Sequence, residues 1–372
     1  VKRMPKMKLK VTKQNPNNQS SSIDLDGEPV YIGIDVHKDQ WKVTIRVGGM
    51  EMSTFSMNPS VEELVSHLQK NYPGGEYYSA YEVGFCGFSI HRQLEARGVE
   101  NAVVNASDIP SLQKERMTKT DTVDSRKICR ELERGTLSSI YIPTTGQEAL
   151  RQLCRWRRKI SIEEGRMKVR IKSFLNFIGF KLPSKFDGRR WSGKFISYLR
   201  ELRFAEELNT VMLQSQLNVL ESLRREEVLV LRRIREEVRN DEEKQRVMNL
   251  LLTVPGVGIA TGLAIYSEIM DMKRFSSLDR LKSFVGLSPA VYSSGDKMKV
   301  LGLSWRYNKY LRNMLIESAW VAVHKDPALL SRFLELSRRM SRTNAIIRIA
   351  KKLLNRIMHV RNTGLPYERK VA

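Results

Sequence analysis

The stretch YIGIDVHKDQWKV, Tyr31 to Val43, closes a short apolar run on one carboxylate, Asp35, and sets another four residues on. From Val30 to Val47, as VYIGIDV and then WKVTIRV, β-branched and aromatic residues alternate with polar ones, which predicts two adjoining strands. Side chains two apart share a strand face, so Gly33, Asp35 and His37 belong together. A carboxylate between apolar neighbours on a central strand is costly unless a partner or a metal compensates it. Downstream, EYYSAYEVG (Glu76–Gly84) predicts a strand ending in Glu82, FSIHRQLEARG (Phe88–Gly98) a helix and ENAVVNA (Glu100–Ala106) a further strand. Strands alternating with helices predict an α/β domain.

Two more acids follow in KTDTVDSRKICRELERG, where Asp121 and Asp124 are three apart and share one face if the segment is helical. Taken singly, each acid has a plain explanation. Asp121 could cap a helix beginning at Thr122, Asp124 could favour the positive end of its dipole, and Glu82 precedes a glycine turn. Taken together, four carboxylates from two strand ends and a helix converge only if a metal neutralises them, because close like charges raise one another's pKa. Oxygen ligands suit Mg²⁺ or Mn²⁺, and two such ions about 4 Å apart would clamp a phosphodiester. His37, on the face of Asp35, could assist proton transfer or orient a ligand, or simply pack.

Outward from this region the pattern changes. Residues 1–28 are polar and basic without a periodicity that could bury a core, and are expected to be a disordered tail; without an apolar segment they are not expected to be a secretory signal. Residues 29–146 form the predicted α/β domain. In residues 147–243, Leu153, Ile160, Met167 and Phe174 recur every seven positions, and Leu213, Leu217, Leu220, Leu231, Ile234 and Val238 follow steps of four and three. This predicts long helices with coiled-coil spacing, separated by a loop at Lys181–Lys194, as either an intramolecular hairpin or an oligomer interface. Residues 244–372 are predicted mostly α. There VPGVG (Val254–Gly258) reads as a helix-hairpin-helix turn whose glycines, Gly256 and Gly258, let backbone N–H groups approach a phosphate. Arg306, Lys309 and Arg312, interleaved with Trp305, Tyr307 and Tyr310, suit phosphate neutralisation and base stacking. Arg348, Lys352 and Arg356 line one face of an amphipathic helix opposite Ile346, Leu353 and Ile357, either along a phosphate backbone or as a solvated outer face.

Composition narrows the function. The 64 Lys and Arg against 41 Asp and Glu give a net charge of +23, which points to a polyanion, nucleic acid above all. Mean hydropathy is −0.39, and no apolar run reaches the roughly 20 residues of a membrane span. Cys86, Cys129 and Cys154 lack paired spacing, which argues against a disulfide framework or zinc site and for a reducing, cytoplasmic setting.

GIDVHK, YEVGFCGFSIHRQL, VVNASDI and KTDTVDSRK, in this order, resemble the RuvC-like N-terminal domain of DEDD-type insertion-sequence transposases, the insertion-sequence one-ten type also called bridge recombinases. The segment from LLTVPGVGIATGLAI to LRNMLIESAW resembles that family's second transposase domain. The resemblance implies an RNase H-like N-terminal fold in which Asp35, Glu82, Asp121 and Asp124 are the catalytic and metal-binding acids. It implies a serine nucleophile in GLSPAVYSSG, Ser294 with Ser293 as the alternative. It also implies donor and target DNA as substrates, a structured noncoding guide RNA, a homodimer assembling to a homotetramer, and a nucleoid-associated bacterial or archaeal setting. Two departures stand out: Ser125 follows the last acid where the family more often has Ala, and Asp296 lies where relatives usually have Gly or a basic residue. The rival reading is a structure-selective junction resolvase using the same acids with water as nucleophile. A sugar kinase or actin-like ATPase is disfavoured because Val36, His37 and Lys38 follow Asp35 where that fold wants a glycine. A non-enzymatic scaffold gives no reason for buried acids.

Overall fold

A computed structural model of the chain describes residues 25–110, 120–186, 190–294, 297–303 and 307–368; for residues 290–294 and 297–301 it describes the backbone. Packing divides the chain into two compact units, up to Ile142 and from Pro143 onward.

In the first unit β1 (Pro29–Val36), β2 (Trp41–Val47) and β3 (Met50–Met57) form an antiparallel meander. The chain then runs through α1 (Val61–Asn71) to β4 (Glu76–Glu82), α2 (Ser89–Glu95) and β5 (Glu100–Val104). β4 and β5 add in parallel beside β1, giving the sheet order β3-β2-β1-β4-β5. β1 is therefore central, which is why its apolar run is nearly unbroken. The sequence reading passed over β3 and α1. β3, MEMSTFSM, is an edge strand with no fully buried residue, so it carries little of the alternation that marks the others. Of the expected tail, residues 1–24 lie outside the described residues. Leu25 and Gly27 instead donate backbone hydrogen bonds to Pro73 and Gly74, which fixes the approach to β1.

The period-two pattern of β1 sorts its side chains. Val30, Ile32 and Ile34 join Val43, Ile45, Leu64, Leu68 and Leu94 in a core between the sheet and α1 and α2. Tyr31, Gly33 and Asp35 face the other way, toward α3 (Asp121–Glu133). Gly33 decides how close α3 can come. A Cβ there would lie 2.2 Å from the Ser125 carbonyl oxygen and 2.5 Å from the Cys129 amide nitrogen, so the helix backbone rests directly on the strand. Buried Thr44 and Ser125 join hydroxyl to hydroxyl at 3.0 Å across the same contact. The serine where the family more often has Ala thus has its partner on β2.

Among the described residues the regular structure of the second unit is helical apart from one hairpin. Its two longest helices, α4 (Thr145–Phe177) and α6 (Glu207–Arg239), pack against each other in opposite directions. Arg157 pairs with Glu227, and Arg224 with Glu164, so the heptad seam is satisfied within one chain. Near the tip Met167, Ile171 and Phe174 meet Leu213, Leu217 and Leu220, with Phe195 and Leu199 of α5 (Gly193–Glu201) completing a separate core. The expected loop at Lys181–Lys194 thus ends at Gly193, where Ser192 caps α5 by accepting the Phe195 N–H.

At the base Leu150, Cys154, Ile234 and Val238 join a larger core with α7 (Glu242–Thr253), α8 (Ile259–Ile269), α9 (Leu278–Val285), α10 (Lys309–Lys325), α11 (Pro327–Ser337) and α12 (Arg342–Thr363). The hairpin, β6 (Pro289–Ser294) and β7 (Lys297–Leu303), is a β insertion in what the sequence reading expects as mostly α. No helix among the described residues is long and apolar enough to cross a membrane. The three cysteines are unpaired, and burial pushes the Cys129 thiol up to about 12 and that of Cys154 to about 11.

Candidate metal centre

The four acids lie at the C-terminal ends of the first unit's two middle strands, β1 and β4, and in the first turn of α3. Ile34 pairs with Tyr81 in parallel register, so Asp35 and Glu82 come next on adjacent strand ends. α3 begins where it delivers the other two: Thr120, not Asp121, is its N-cap, accepting the Val123 N–H at 3.3 Å. That leaves both Asp121 and Asp124 in the first turn with their carboxylates available for other work.

The acids sort into two pairs around two cationic or potentially cationic groups. Nε2 of His37 stands 3.2 Å from Oδ2 of Asp35 and 3.5 Å from Oδ1 of Asp121. These three residues each offer a ligand atom, and the atoms all lie within 4.8 Å of one another, a span that one divalent ion can bridge. On the other side Lys127 donates to Oδ1 of Asp124 at 2.9 Å, and its Nζ lies 4.0 Å from Oε1 of Glu82. Asp35 carries an electrostatic cost. Burial raises its carboxyl pKa, His37 pulls it down in part, and Asp121 and Asp124 push it up again. A cation at this point would relieve that cost, and two carboxylates with an imidazole make a donor set that suits a divalent ion. His37, one residue beyond the end of β1, is brought to both Asp35 and Asp121. Lys127 went unremarked in the sequence; its one signal is a spacing of three from Asp124 on a helix.

Beside the acids a cavity of about 460 Å³ opens, lined by Val36, His37, Trp41, Phe85 and Cys86 among others. The Phe85 side chain, three residues beyond Glu82, is 72% exposed.

The remaining sequence candidates fall in the second unit. Ser294 is the last residue of β6, paired with Lys297, and Ser293 pairs with Met298; both sit at the hairpin's turn end. Asp296, Trp305 and Arg306 lie outside the described residues. Gly256 has φ +84°, and a Cβ there would meet the Ser318 carbonyl at 2.2 Å, so this glycine lets α10 close on the turn. Gly258 is exposed at the start of α8, with nothing near its would-be Cβ. Lys309, Arg348 and Lys352 are exposed. Arg312 lays its guanidinium 3.2 Å from the centre of the Tyr307 ring. Arg356 donates to the buried Asp326 at 2.8 Å and stacks on Tyr367, so it braces the fold.

A mixed sheet with carboxylates at two adjacent strand ends, in a strongly basic chain, defines an α/β protein with a candidate metal site and a polyanion as its expected partner. Comparison with known proteins narrows this. Residues 32–180 match the DEDD transposases of the IS110 type, and residues 248–334 match the transposase family IS116/IS110/IS902. A Sinorhizobium fredii protein assigned as a transposase is 25% identical over 94% of this chain and 96% of its own. The transposase for insertion sequence element IS1533 of Leptospira borgpetersenii is 23% identical over 92% and 98%. That for element IS1111A of Coxiella burnetii is 26% identical over 63% of each chain. The chain belongs to the IS110-type DEDD transposases and is a DNA transposase.

Proposed function

We propose that the protein moves its insertion sequence by metal-dependent strand cleavage and exchange, with Asp35, Glu82, Asp121 and Asp124 as the acidic centre of an RNase H-like domain. The observation that carries the reading is the convergence of two strand-end acids with the first turn of α3 over Gly33. The sheet order, with three antiparallel strands followed by two parallel ones, supports the fold assignment. A bound Mg²⁺ or Mn²⁺ would supply positive charge against the scissile phosphate and lower the barrier to its attack. Asp35, His37 and Asp121 would hold the ion, while the exposed ring of Phe85 would take a base of the strand entering the adjoining cavity.

The nucleophile in this reading is the hydroxyl of Ser294. Its oxygen bonds to phosphorus as a P–O bond of the strand breaks, the departing oxygen takes up a proton, and attack by the hydroxyl of another strand end reverses the step. A phosphoserine link of this kind keeps the bond energy needed for rejoining. Guidance by a structured RNA of the element would leave the protein to read backbone and shape, which its charge of +23 suits. A dimer pairing into a tetramer would complete each acidic centre with a partner's serine.

Two experiments test this. Purification with co-expressed element nucleic acid should retain a discrete RNA; random RNA or none removes the guide. Ser294→Ala should abolish cleavage as well as joining. Cleavage that survives, with Asp35→Ala dead, would leave a water-using resolvase as the reading.

A further inference from the structure

We infer that Lys127 fills the place of a second cation, so that the centre takes one divalent ion, at Asp35, His37 and Asp121. The inference rests on the metal-centre reading above. It starts from an asymmetry: the four acids do not form one symmetric cage. Asp35 and Asp121 meet at His37, whereas Glu82 and Asp124 meet at an ammonium.

That ammonium is built in. Lys127 is 9% exposed, and it lies one turn beyond Asp124 on a helix whose backbone is clamped to β1 through Gly33. Its neighbours on α3 turn elsewhere: Arg126 binds Glu51, and Arg130 binds Glu131. A lysine is also the right cation for such a place, since its charge is compact and carries three rotatable donors where a guanidinium would need a planar fork.

The arrangement has a chemical consequence. One positive charge between Glu82 and Asp124 offsets their mutual repulsion and leaves the doubly charged ion to the pair at His37. A second divalent ion would have to displace an ammonium 2.9 Å from its carboxylate before binding. Lys127 is thus a positioning residue: it holds Glu82 and Asp124 in place and sets the ion count.

Mn²⁺ titration of the full chain, with free ion followed by electron paramagnetic resonance, reads that count directly. Wild-type protein should bind one ion per chain. Lys127→Gln and Lys127→Met should bind two, the second at least tenfold tighter than any second ion of wild type. Melting curves establish that each variant is folded, and the apolar stem of Met keeps the packing if Gln does not. Two equivalent ions in wild type, or one ion in both folded variants, would overturn the inference and leave the metal centre standing. Wild-type protein that binds no Mn²⁺, or binding untouched by Asp35→Asn, would take down the metal-centre reading along with it.

Discussion

Two buried carboxylates of the second unit are treated in the opposite way from Asp35 of the first. In the second unit Glu268, 2% exposed, receives both arms of the Arg155 guanidinium at 2.6 and 2.7 Å and the Asn308 amide at 2.7 Å. Asp326, equally buried, accepts from the Leu329 N–H, Arg356 and the Tyr367 hydroxyl. Burial pushes the Asp326 carboxyl up, but those three donors outweigh it and hold the pKa below the ordinary value. In the first unit Asp35 has one imidazole against burial and two neighbouring acids, and its pKa is raised. Acids given every donor they can use bind structure together. Acids left short of positive charge keep an affinity for a cation that folding has not satisfied.

The sharpest break of this contrast is Asp35→Asn. Cleavage should fall by about 10³-fold or more, as for loss of a group acting in the transition state, while the metal-free protein melts higher than wild type. The signs follow from linkage. A carboxyl whose folded pKa is raised binds more protons folded than unfolded, so the stability lost by ionising it sets in as pH rises past the unfolded value and is complete above the folded one. The advantage of the asparagine should therefore be present at neutral pH and vanish in acid. Saturating Mn²⁺ should reverse the order of the two melting temperatures.

Asp326→Asn should do the reverse. It leaves Arg356 facing a neutral group and should cost about 3 kcal/mol at pH 7, read by denaturant unfolding. Because the folded pKa is depressed, the carboxylate's contribution is present above the unfolded value and lost as pH falls through the folded one, so wild type and variant converge in acid. Mn²⁺ binding should not change. A variant that lost the ion as well would merge the two kinds of acid into one.

Gly33→Ala tests the contact that brings the acids together. The methyl group has no room beneath the Ser125 carbonyl, so the variant should lose about 2 kcal/mol and bind Mn²⁺ more weakly as Asp121 and Asp124 withdraw from Asp35. The smallest effect concerns Thr44. Thr44→Val should cost about 1 kcal/mol by taking a hydrogen bond from buried Ser125 and another from Thr54, whereas Thr44→Val with Ser125→Ala should recover the part owed to Ser125. A double variant as unstable as the single would remove the hydroxyl pair as the reason a serine is tolerated after the last acid.

Much of the centre was legible because its signals are local. The alternation in VYIGIDV and WKVTIRV gives β1 and β2 as observed, and EYYSAYE gives β4 ending on Glu82. β3, at the sheet edge with no fully buried residue, offers no such contrast. The heptads of α4 and α6 marked long helices, but the period of a seam does not say which helix fills it, and here each fills the other's. Likewise the face of Arg348, Lys352 and Arg356 looked uniform in sequence, and only the folded chain sets Arg356 against Asp326.

By itself the sequence determined where β1, β2, β4, β5 and the long helices run, that acids close two strands and open a helix, and that the chain carries charge for a polyanion. Those properties depend on residues a few positions apart, and periodicity records them. Tertiary structure decided that α3 lies on β1 through Gly33, that His37 joins Asp35 to Asp121, and that Lys127 stands between Glu82 and Asp124. The long-range contacts among these join residues from 45 positions apart (Glu82 and Lys127) to 96 (Gly33 and Cys129), and only a specific packing of helix on sheet can set them.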